Sequence, residues 1–471
     1  MLTSPTATRT RPRLALTVLC LASFIAVVDT TIVSVALPSI QHELGFTQPD
    51  AQWILNGYAL TFGGLLLLFG RAGDLWGRRR LFLAGLVVFA VAALLGGLAW
   101  EPSILIAARC LQGAAAAAFV PASLSLLTAA FVPGPDRDRA VARYGAMAAL
   151  GFVVGMVGGG ILTDVLGWRW VMFVNVPVAL AAVVPTRSAV ADSRDDSAGQ
   201  TLDLPGAGTL TAGIAVVLYA VSQAASTGWG SPMTIALAVA GLGLLSVCLV
   251  VERRSTAPLV PLRLLARRAA LVPNGAMFLQ SMVGVAWLYV LTLYFQDVLS
   301  FRPLTAGLLF LPMTLASVIA ATLAGRLATR FGIRATAVLG LALVIVGVAL
   351  MTRMSLDSGL TLVIAGMIVG ETGFMFSNVP LTIAGSTGTG EQSRGLSAGL
   401  LNTSSQLGNA LGLAIVASEA ASAGAPSATE FGPGRLLGGL QAGLYACAGF
   451  ALAALLVAAT GLPSRKHATH G

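Results

Sequence analysis

The charged residues that fall inside apolar segments are the first candidates for chemistry in this sequence. Asp29, Arg109 and Glu371 each lie within a run of otherwise apolar residues. A charge at the middle of a membrane costs roughly 2.5 to 3.5 kcal/mol on insertion scales, so such a residue normally faces a partner or a polar cavity. We therefore expect each of the three to be paired or to line a cavity.

Asp29 and Arg109 are predicted to lie at similar depth. At about 1.5 Å per helical residue, Asp29 lies about 13 Å from the end of its run, and Arg109 lies about 9 Å from the start of its own. Burial disfavours the charged form of an acid, whereas a nearby guanidinium favours it. Movement of Arg109 would therefore switch Asp29 between holding and releasing a proton. The alternative is a static ion pair between two helices, which is weak evidence for stability.

Glu371 lies near the middle of another run, with Phe374 beside it and Asn378 on the same helical face. A carboxylate among aromatic rings can bind a lipophilic cation through charge and ring faces. The alternative is a protonated glutamate hydrogen-bonded within the protein. A polar stripe at helical spacing either lines a cavity or joins two helices. Its residues are Asn402, Gln406 and Asn409.

Glycines recur every four residues at Gly151, Gly155 and Gly159 and give one helix a smooth face. Such a face usually allows close helix approach, and a hinge is the other possibility.

The elements that must position these residues are membrane spans. Of the 471 residues, 56% are hydrophobic and 10% are charged, which is typical of an integral membrane protein. We predict fourteen spans, near 14–38, 53–70, 81–99, 103–131, 140–163, 170–186, 207–224, 232–251, 270–296, 304–325, 335–351, 360–384, 395–418 and 436–461. The first also resembles a signal peptide, but its length and terminal proline favour an uncleaved span.

The basic residues predict the orientation. Most of the 28 Lys and Arg lie in the tails and in alternate connections, which are therefore cytoplasmic by the positive-inside rule. The exceptions are Arg109, Arg169, Arg302, Arg353 and Arg435. This distribution accounts for the net charge of +9 without nucleic-acid binding. The cytoplasmic arginine clusters, such as the one in 252–268, are expected to contact anionic lipid headgroups.

A weak internal repeat organises the spans. The turn at 70–80 ("GRAGDLWGRRR") and the turn at 325–334 ("GRLATRFGIR") both have Gly-Arg, an aromatic residue and a second glycine at the same spacing. Two six-helix halves around a central cavity are a transporter architecture. The predicted organisation is a tail (1–13), a six-helix bundle (14–186), a loop (187–206), a two-helix insert (207–251), a loop (252–268), a second six-helix bundle (269–461) and a tail (462–471).

Several other activities are excluded by residue usage. The four cysteines fall inside apolar segments and give no disulfide framework. "GLSAG" at 395–399 fits the pattern of a serine-hydrolase nucleophile, but it opens a predicted span, and the three histidines lie in a loop and a tail. No histidine or cysteine cluster predicts a metal, and we expect neither a cofactor nor an enzyme.

Several ordered stretches resemble the major facilitator superfamily, in particular its branch of fourteen-helix drug:proton antiporters. They span nearly the whole chain. They are "VDTTIVSVALPSI" (28–40), "WILNGYALTFGGLLLLFGRAGDLWGRRRLF" (53–82), "LIAARCLQGAAAAA" (105–118), "GFVVGMVGGG" (151–160), "GWRWVMFVNVPVAL" (167–180) and "RGLSAGLLNTSSQLGNALGLAI" (394–415).

The resemblance implies an all-α membrane protein of two bundles that rock about a central site and export lipophilic drugs as protons enter. It implicates Asp29, Arg109 and Gln112 in proton coupling. It also implicates two motifs: the gating turn of Gly70, Asp74, Gly77, Arg78 and Arg79, and the fifth-helix antiporter motif of Gly151, Gly155, Gly159 and Gly160.

Two departures from the family pattern stand out. Leu75 and Met156 replace an arginine and a proline that the family usually has.

We therefore predict a plasma-membrane antiporter, powered by the proton gradient, that exports small hydrophobic or cationic compounds. It would work as a monomer, with both termini in the cytoplasm and Glu371, Phe374, Asn378, Asn402 and Gln406 lining the substrate cavity. One alternative is a proton-coupled importer or symporter of a metabolite. Another is a membrane sensor or scaffold that transports nothing.

Overall fold

Every regular element in the described part of the chain is helical. The computed structural model describes residues 12–131, 135–190, 204–254, 267–356, 360–387, 394–422 and 433–463. The first helices are α1 (Pro12–Leu44), α2 (Gln48–Ala51), α3 (Trp53–Trp76), α4 (Arg78–Gly97), α5 (Pro102–Ala130), α6 (Pro135–Val165), α7 (Arg169–Phe173) and α8 (Asn175–Ala189). They are followed by α9 (Leu204–Thr227) and α10 (Pro232–Arg254). The last are α11 (Arg268–Leu293), a π-helix (Tyr294–Val298), α12 (Pro303–Leu309), α13 (Leu311–Phe331), α14 (Ile333–Met351), α15 (Thr361–Thr387), α16 (Arg394–Ser422) and α17 (Pro433–Gly461).

Eleven helical segments among the described residues are long and apolar enough to cross a membrane. The three other predicted spans coincide with α3, α9 and α16, which have 24, 24 and 29 residues. The chain is thus an all-helical, multi-pass membrane protein, and the count of fourteen spans stays a prediction. Residues 191–203 of the predicted loop 187–206 and residues 255–266 of the predicted loop 252–268 lie outside the described residues, as do most of both tails.

The predicted end of the first span at Pro38 is wrong, because α1 continues through this proline to Leu44. Proline removes one backbone donor from a helix, and such a loss is tolerated in a membrane when a neighbouring helix supplies hydrogen bonds. The carbonyl that loses its donor to Pro38 is that of Ser34, and beside it Gln296 donates from Nε2 to the Val35 carbonyl at 2.8 Å. We call the end of the bundle where α1 finishes the Leu44 end, and the opposite end the Pro12 end.

The two repeated turns have the same backbone geometry. Gly77 ends α3 with φ 98° and Gly332 ends α13 with φ 94°, and the next helix begins one residue later in both cases. A positive φ of this kind strains any residue with a side chain. Each glycine donates its N–H to the carbonyl four residues earlier. The repeated glycine therefore marks the same sharp turn in both halves of the chain.

The helices before α9 and after α10 pack mainly among themselves, and we call them the N-terminal and C-terminal halves. In the N-terminal half, α1 contacts α5, α6 and α8, and α5 contacts α3 and α4. In the C-terminal half, α11 contacts α15, α16 and α17, and α13 contacts α15. The two halves meet along α3 with α16 and along α6 with α12.

The helices α9 and α10 form a pair beside these halves. They approach closely because Gly213 lies against Leu245 and Gly241 lies against Val217. Helix α9 also contacts α3 and α16, one helix from each half. It therefore lies along one of the two seams between the halves.

Candidate functional site

Asp29 lies at the centre of a buried polar cluster. Its Oδ2 accepts a hydrogen bond from Arg109 Nη1 at 2.6 Å, and its Oδ1 accepts one from Gln112 Nε2 at 3.0 Å. Asn175 Nδ2 donates a further hydrogen bond to Oδ1 at 2.8 Å. The exposed fractions of Asp29, Arg109 and Gln112 are 0%, and that of Asn175 is 1%. The structure thus brings the predicted pair into direct contact and adds two amides around the carboxylate.

Arg109 is held by several further contacts. Its Nε donates to the Ile54 carbonyl at 3.0 Å, and its Nη1 also donates to Gln112 Oε1 at 2.8 Å. The guanidinium carbon lies 4.7 Å from the centre of the Tyr58 ring, which adds a cation–π contact. Its Nη2 has no hydrogen-bond partner among the described residues. Arg109 therefore has a fixed position but keeps one donor for another arrangement of the cluster.

Close approach of α3 and α5 places Arg109 and Gln112. Gly113 lies against the Tyr58 carbonyl and the Thr61 hydroxyl, where any side chain would collide with both. Thr61 Oγ1 also donates to the Cys110 carbonyl at 2.7 Å. The glycine that follows Gln112 thus lets the two helix backbones meet beside the cluster.

The glycines of α6 lie on two different surfaces. Three of them lie against α1: Gly151, Gly155 and Gly159. A methyl group on Gly155 would collide with the hydroxyl of Thr31, two residues after Asp29. Gly160 lies instead against the Pro303 carbonyl in the other half, where a Cβ would come within 2.7 Å of the oxygen. This motif therefore sets both the distance between α1 and α6 and the contact between the halves.

Asn175 is the cluster member that the sequence analysis missed. It is the first residue of α8 and is a polar residue inside a predicted span. Asp29 was selected as a charged residue inside an apolar run. The same search, extended to side-chain amides, would also have found Asn175. Its Oδ1 has no hydrogen-bond partner among the described residues.

Glu371 lies in the C-terminal half, far along the chain from this cluster. It is 5% exposed, and its side chain is hydrogen-bonded to Ser317 of α13. Three residues later, Phe374 packs against the Trp287 ring at a centroid distance of 6.3 Å. Asn378 Nδ2 contacts Met277 Sδ at 3.5 Å. The predicted face of α15 therefore packs against α11 and α13, with Glu371 buried at its centre.

The polar stripe of α16 is divided by the structure. Asn402 is exposed, whereas Gln406 is half-buried and accepts a hydrogen bond from Asn409 at 3.2 Å. Gln406 lies against Gly63 of α3, on the seam between the halves. Polar contacts that join α16 to α11 come from residues outside the stripe. They are Ser405 with Ser281, and Ser404 with Asn274.

The gating turn is described in part. The predicted residues are Gly70, Asp74, Gly77, Arg78 and Arg79. Gly70 is exposed at the end of α3, and Arg79 Nη1 donates to the Val190 carbonyl at 3.1 Å. The side chain of Asp74 lies outside the described part of the structure.

The two halves are joined by polar contacts at the Leu44 end. Arg302 pairs with Asp164 at 2.8 Å, and His42 lies 3.6 Å from Asp297. The hydrogen bond from Gln296 to α1 lies in the same region. Each contact crosses from one half to the other, so the halves are closed against each other at this end.

Known proteins resemble this chain along most of its length. Residues 19–413 match the sequence pattern of the Major Facilitator Superfamily. The puromycin resistance protein of Streptomyces alboniger is 36% identical over 453 residues, which cover 94% of this chain and 89% of the relative. The cephamycin export protein CmcT of Amycolatopsis lactamdurans is 37% identical over 419 residues, with coverages of 88% and 85%.

Solved structures share the fold at low sequence identity. A variant of the nucleoside transporter NupG matches with a TM-score of 0.67 and 12% identity, covering 96% of this chain and all of the other. An inward-facing bacterial homologue of the human lysosomal transporter Spinster matches with a TM-score of 0.64 and 16% identity, covering 98% of both. The matching pattern and relatives show that the chain is a transporter and not an enzyme, and that it belongs to the major facilitator superfamily.

Proposed function

We propose that the protein is a fourteen-helix antiporter that exports small hydrophobic or cationic compounds in exchange for protons. The observation that carries this proposal is the fully buried cluster of Asp29, Arg109, Gln112 and Asn175. Substrate export agrees with the relatives, whose names refer to resistance to puromycin and to export of cephamycin.

The cluster has the features of a site that binds and releases a proton. A buried ion pair that only joins two helices is often no more stable than apolar residues of the same size. Here the Gln112 amide contacts both members of the pair, and Asn175 contacts Asp29. The cluster also has buried polar atoms without a partner among the described residues. Removal of Arg109 Nη1 from Oδ2 would favour the protonated acid, and its return would favour the carboxylate.

Glu371 is proposed as the charged group of the substrate cavity. Its carboxylate is buried beside the aromatic pair of Phe374 and Trp287, which suits a lipophilic cation. Asn378, Asn402 and Gln406 would add polar contacts. Because Glu371 is now hydrogen-bonded to Ser317, a bound cation would have to displace or share that hydroxyl.

The proposal includes an orientation of the protein in the membrane. Both termini and the gating turn would face the cytoplasm by the positive-inside rule, so the Leu44 end would face outward. The polar contacts at that end then describe a transporter closed to the outside. We place it in the plasma membrane as a monomer, with its cytoplasmic arginines on anionic lipids.

The driving force is sufficient for efflux. One proton entering the cell supplies about 2.3 kcal/mol per 100 mV of membrane potential. Since 1.4 kcal/mol is about tenfold in concentration, each proton can raise the outside concentration of a neutral substrate by more than tenfold. An exported monovalent cation cancels the charge of one proton, so its export by one-for-one exchange is driven by the pH difference alone.

Transport in inside-out vesicles tests the proposal. With an acidic lumen, wild-type vesicles should accumulate puromycin or a lipophilic cationic dye, and the substrate should release protons from the lumen. Asp29→Asn at equal protein level should lose this uptake, whereas Asp136→Asn, at an exposed acid, should retain it. Uptake by Asp29→Asn at the wild-type rate would contradict the proton role. Movement out of the lumen would indicate an importer, and no substrate-dependent proton flux would indicate a sensor.

A further inference from the structure

The amide of Asn175 differs from the amide of Gln112 in how it is held. Gln112 donates to Asp29 and accepts from Arg109, so both ends of its amide are occupied. Asn175 donates from Nδ2 to Asp29 Oδ1 at 2.8 Å and to the Val171 carbonyl at 3.3 Å. Its Oδ1 is buried and has no hydrogen-bond partner among the described residues. Of the two amides, that of Asn175 can therefore turn over without losing a bond to Arg109.

A proton on Asp29 changes what its neighbours must supply. The carboxylate accepts hydrogen bonds only, but a protonated carboxyl also donates one, and that donor needs an acceptor when it is buried. The groups that hydrogen-bond to Asp29 now are all donors: Arg109 Nη1, Gln112 Nε2 and Asn175 Nδ2. None of these three groups could accept a hydrogen bond from a protonated Asp29 in this arrangement.

We propose that Asn175 is the positioning residue that supplies this acceptor by reversing its side-chain amide when Asp29 takes up a proton. This inference rests on the proposed role of Asp29. The proton binds to Oδ1 of Asp29, and a half-turn about the Asn175 side chain then presents its own Oδ1 to the new O–H. No covalent bond of Asn175 forms or breaks.

The other hydrogen bonds to Asp29 can stay in place in both states, while the reversed amide gives up its bond to the Val171 carbonyl. After the reversal, Asp29 Oδ1 still accepts from Gln112 Nε2 while its hydroxyl donates to Asn175, and Oδ2 still accepts from Arg109. The other ionisable groups described near the pair are Tyr58, which faces both residues, and Cys110, which lies beside Arg109. Asn175 thus lets one site hold either protonation state with every carboxyl oxygen hydrogen-bonded.

Infrared difference spectroscopy during a pH titration of the purified transporter tests the inference. The carbonyl band of protonated Asp29 is identified by its loss in Asp29→Asn. In Asn175→Leu, of similar size but without polar atoms, this band should move to higher frequency because the acid O–H has lost its acceptor. Asn175→Thr, which retains a hydroxyl, should bring the band back towards its native position. Asn274→Leu, at a buried amide outside the cluster, should leave it unchanged.

The pH midpoint of the same band gives a second readout. If Asn175 serves both states, its loss removes one hydrogen bond from each, and the midpoint moves by less than about one pH unit. A residue that only donates to the carboxylate would favour the anion alone, and its loss would tighten proton binding by about tenfold to a hundredfold.

An unchanged band in Asn175→Leu, or an alkaline shift of that size, overturns the amide reversal. If Asn175→Leu does not fold, an alkaline shift of that size in the midpoint of Asn175→Thr overturns it. By contrast, absence of any band that disappears in Asp29→Asn overturns the proton role of Asp29 itself. The two failures are therefore distinguishable.

Discussion

Neutralising both members of the Asp29–Arg109 pair should restore the fold without restoring transport. Asp29 and Arg109 are 2.6 Å apart, and both are 0% exposed. Neutralising one of them therefore leaves the charge of the other buried without its partner. Breaking a buried pair from one side costs about 3 to 5 kcal/mol. We expect Asp29→Asn and Arg109→Gln each to lower stability on this scale.

The double variant that combines Asp29→Asn with Arg109→Gln leaves no unpaired buried charge at this site. Its two new amides can hydrogen-bond to each other. Its stability loss should therefore be smaller than the sum of the two single losses by about 2 to 3 kcal/mol, within the range measured for residues in direct contact. The assay is thermal unfolding of the purified protein in detergent, compared with the yield of folded protein from the membrane. The exposed pair Asp136–Arg139, whose side chains are 81% and 71% exposed, provides the control. The same two neutral substitutions there should show almost no coupling.

Transport by the double variant separates the two interpretations of the pair. If Asp29 carries the proton, the double variant should fold well and still fail to accumulate substrate in vesicles with an acidic lumen. If the pair only joins α1 and α5, recovery of the fold should bring back transport. Transport at the wild-type rate would therefore refute the proton role, and additive losses of stability would refute the direct contact.

Three further changes test other parts of the site. Gly155→Ala should lower stability by about 1 to 3 kcal/mol through its collision with Thr31, whereas Gly158→Ala, which would meet only Val154 at 4.0 Å, should not. Rescue of Gly155→Ala by Thr31→Ala in a melting curve would confirm the collision, and equal effects of the two glycine changes would contradict it. Glu371→Gln should weaken export of cationic compounds at least about tenfold more than that of neutral ones in a susceptibility panel, because it removes the charge that attracts a cation. An equal loss for both classes would make Glu371 structural. Arg302→Ala removes one ion pair between the halves, so the Leu44 end should open more often. Cysteines placed at that end should then react faster with a thiol reagent. An unchanged rate would contradict a role of this ion pair in closing the Leu44 end.

The sequence predicted the pairing of Asp29 with Arg109 because depth along a membrane helix follows from the rise per residue. Two charges at one depth in an apolar medium have few partners other than each other. The glycine turns were predictable for a similar reason, since glycine readily adopts the positive φ that Gly77 and Gly332 show. In both cases a single local property fixes the outcome.

The parts that the sequence did not predict depend on which way a helix faces. Asn402 belongs to the same stripe as Gln406, but packing of α16 against α3 leaves one exposed and places the other on the seam. The hydrogen bond between Glu371 and Ser317 depends on the rotation of α15 relative to α13, which spacing alone does not give. The contact with α1 just before Pro38 comes from Gln296, a residue distant in the sequence.

The location of the two proposed sites constrains how protons could drive substrate movement. The Asp29 cluster lies wholly in the N-terminal half, on α1, α3, α5 and α8, while Glu371 and its neighbours lie in the C-terminal half. A proton on Asp29 and a cation at Glu371 therefore do not compete for the same carboxylate. The two sites are both connected to the Leu44 end. Helix α1 carries Asp29 and also His42. Helix α11, which packs on Phe374, continues into the π-helix that carries Gln296 and Asp297.

Rigid elements can couple two distant binding sites only if those elements have two discrete arrangements. Short π-helical segments inside α-helices are often found at functional sites. Proton uptake at Asp29 would alter the contacts of α1 in the N-terminal half, and substrate at Glu371 would alter those of α11 in the C-terminal half. Both changes would affect the contacts between α1 and the π-helix. In this arrangement the proton and the substrate would act on the same contacts at the Leu44 end from opposite halves.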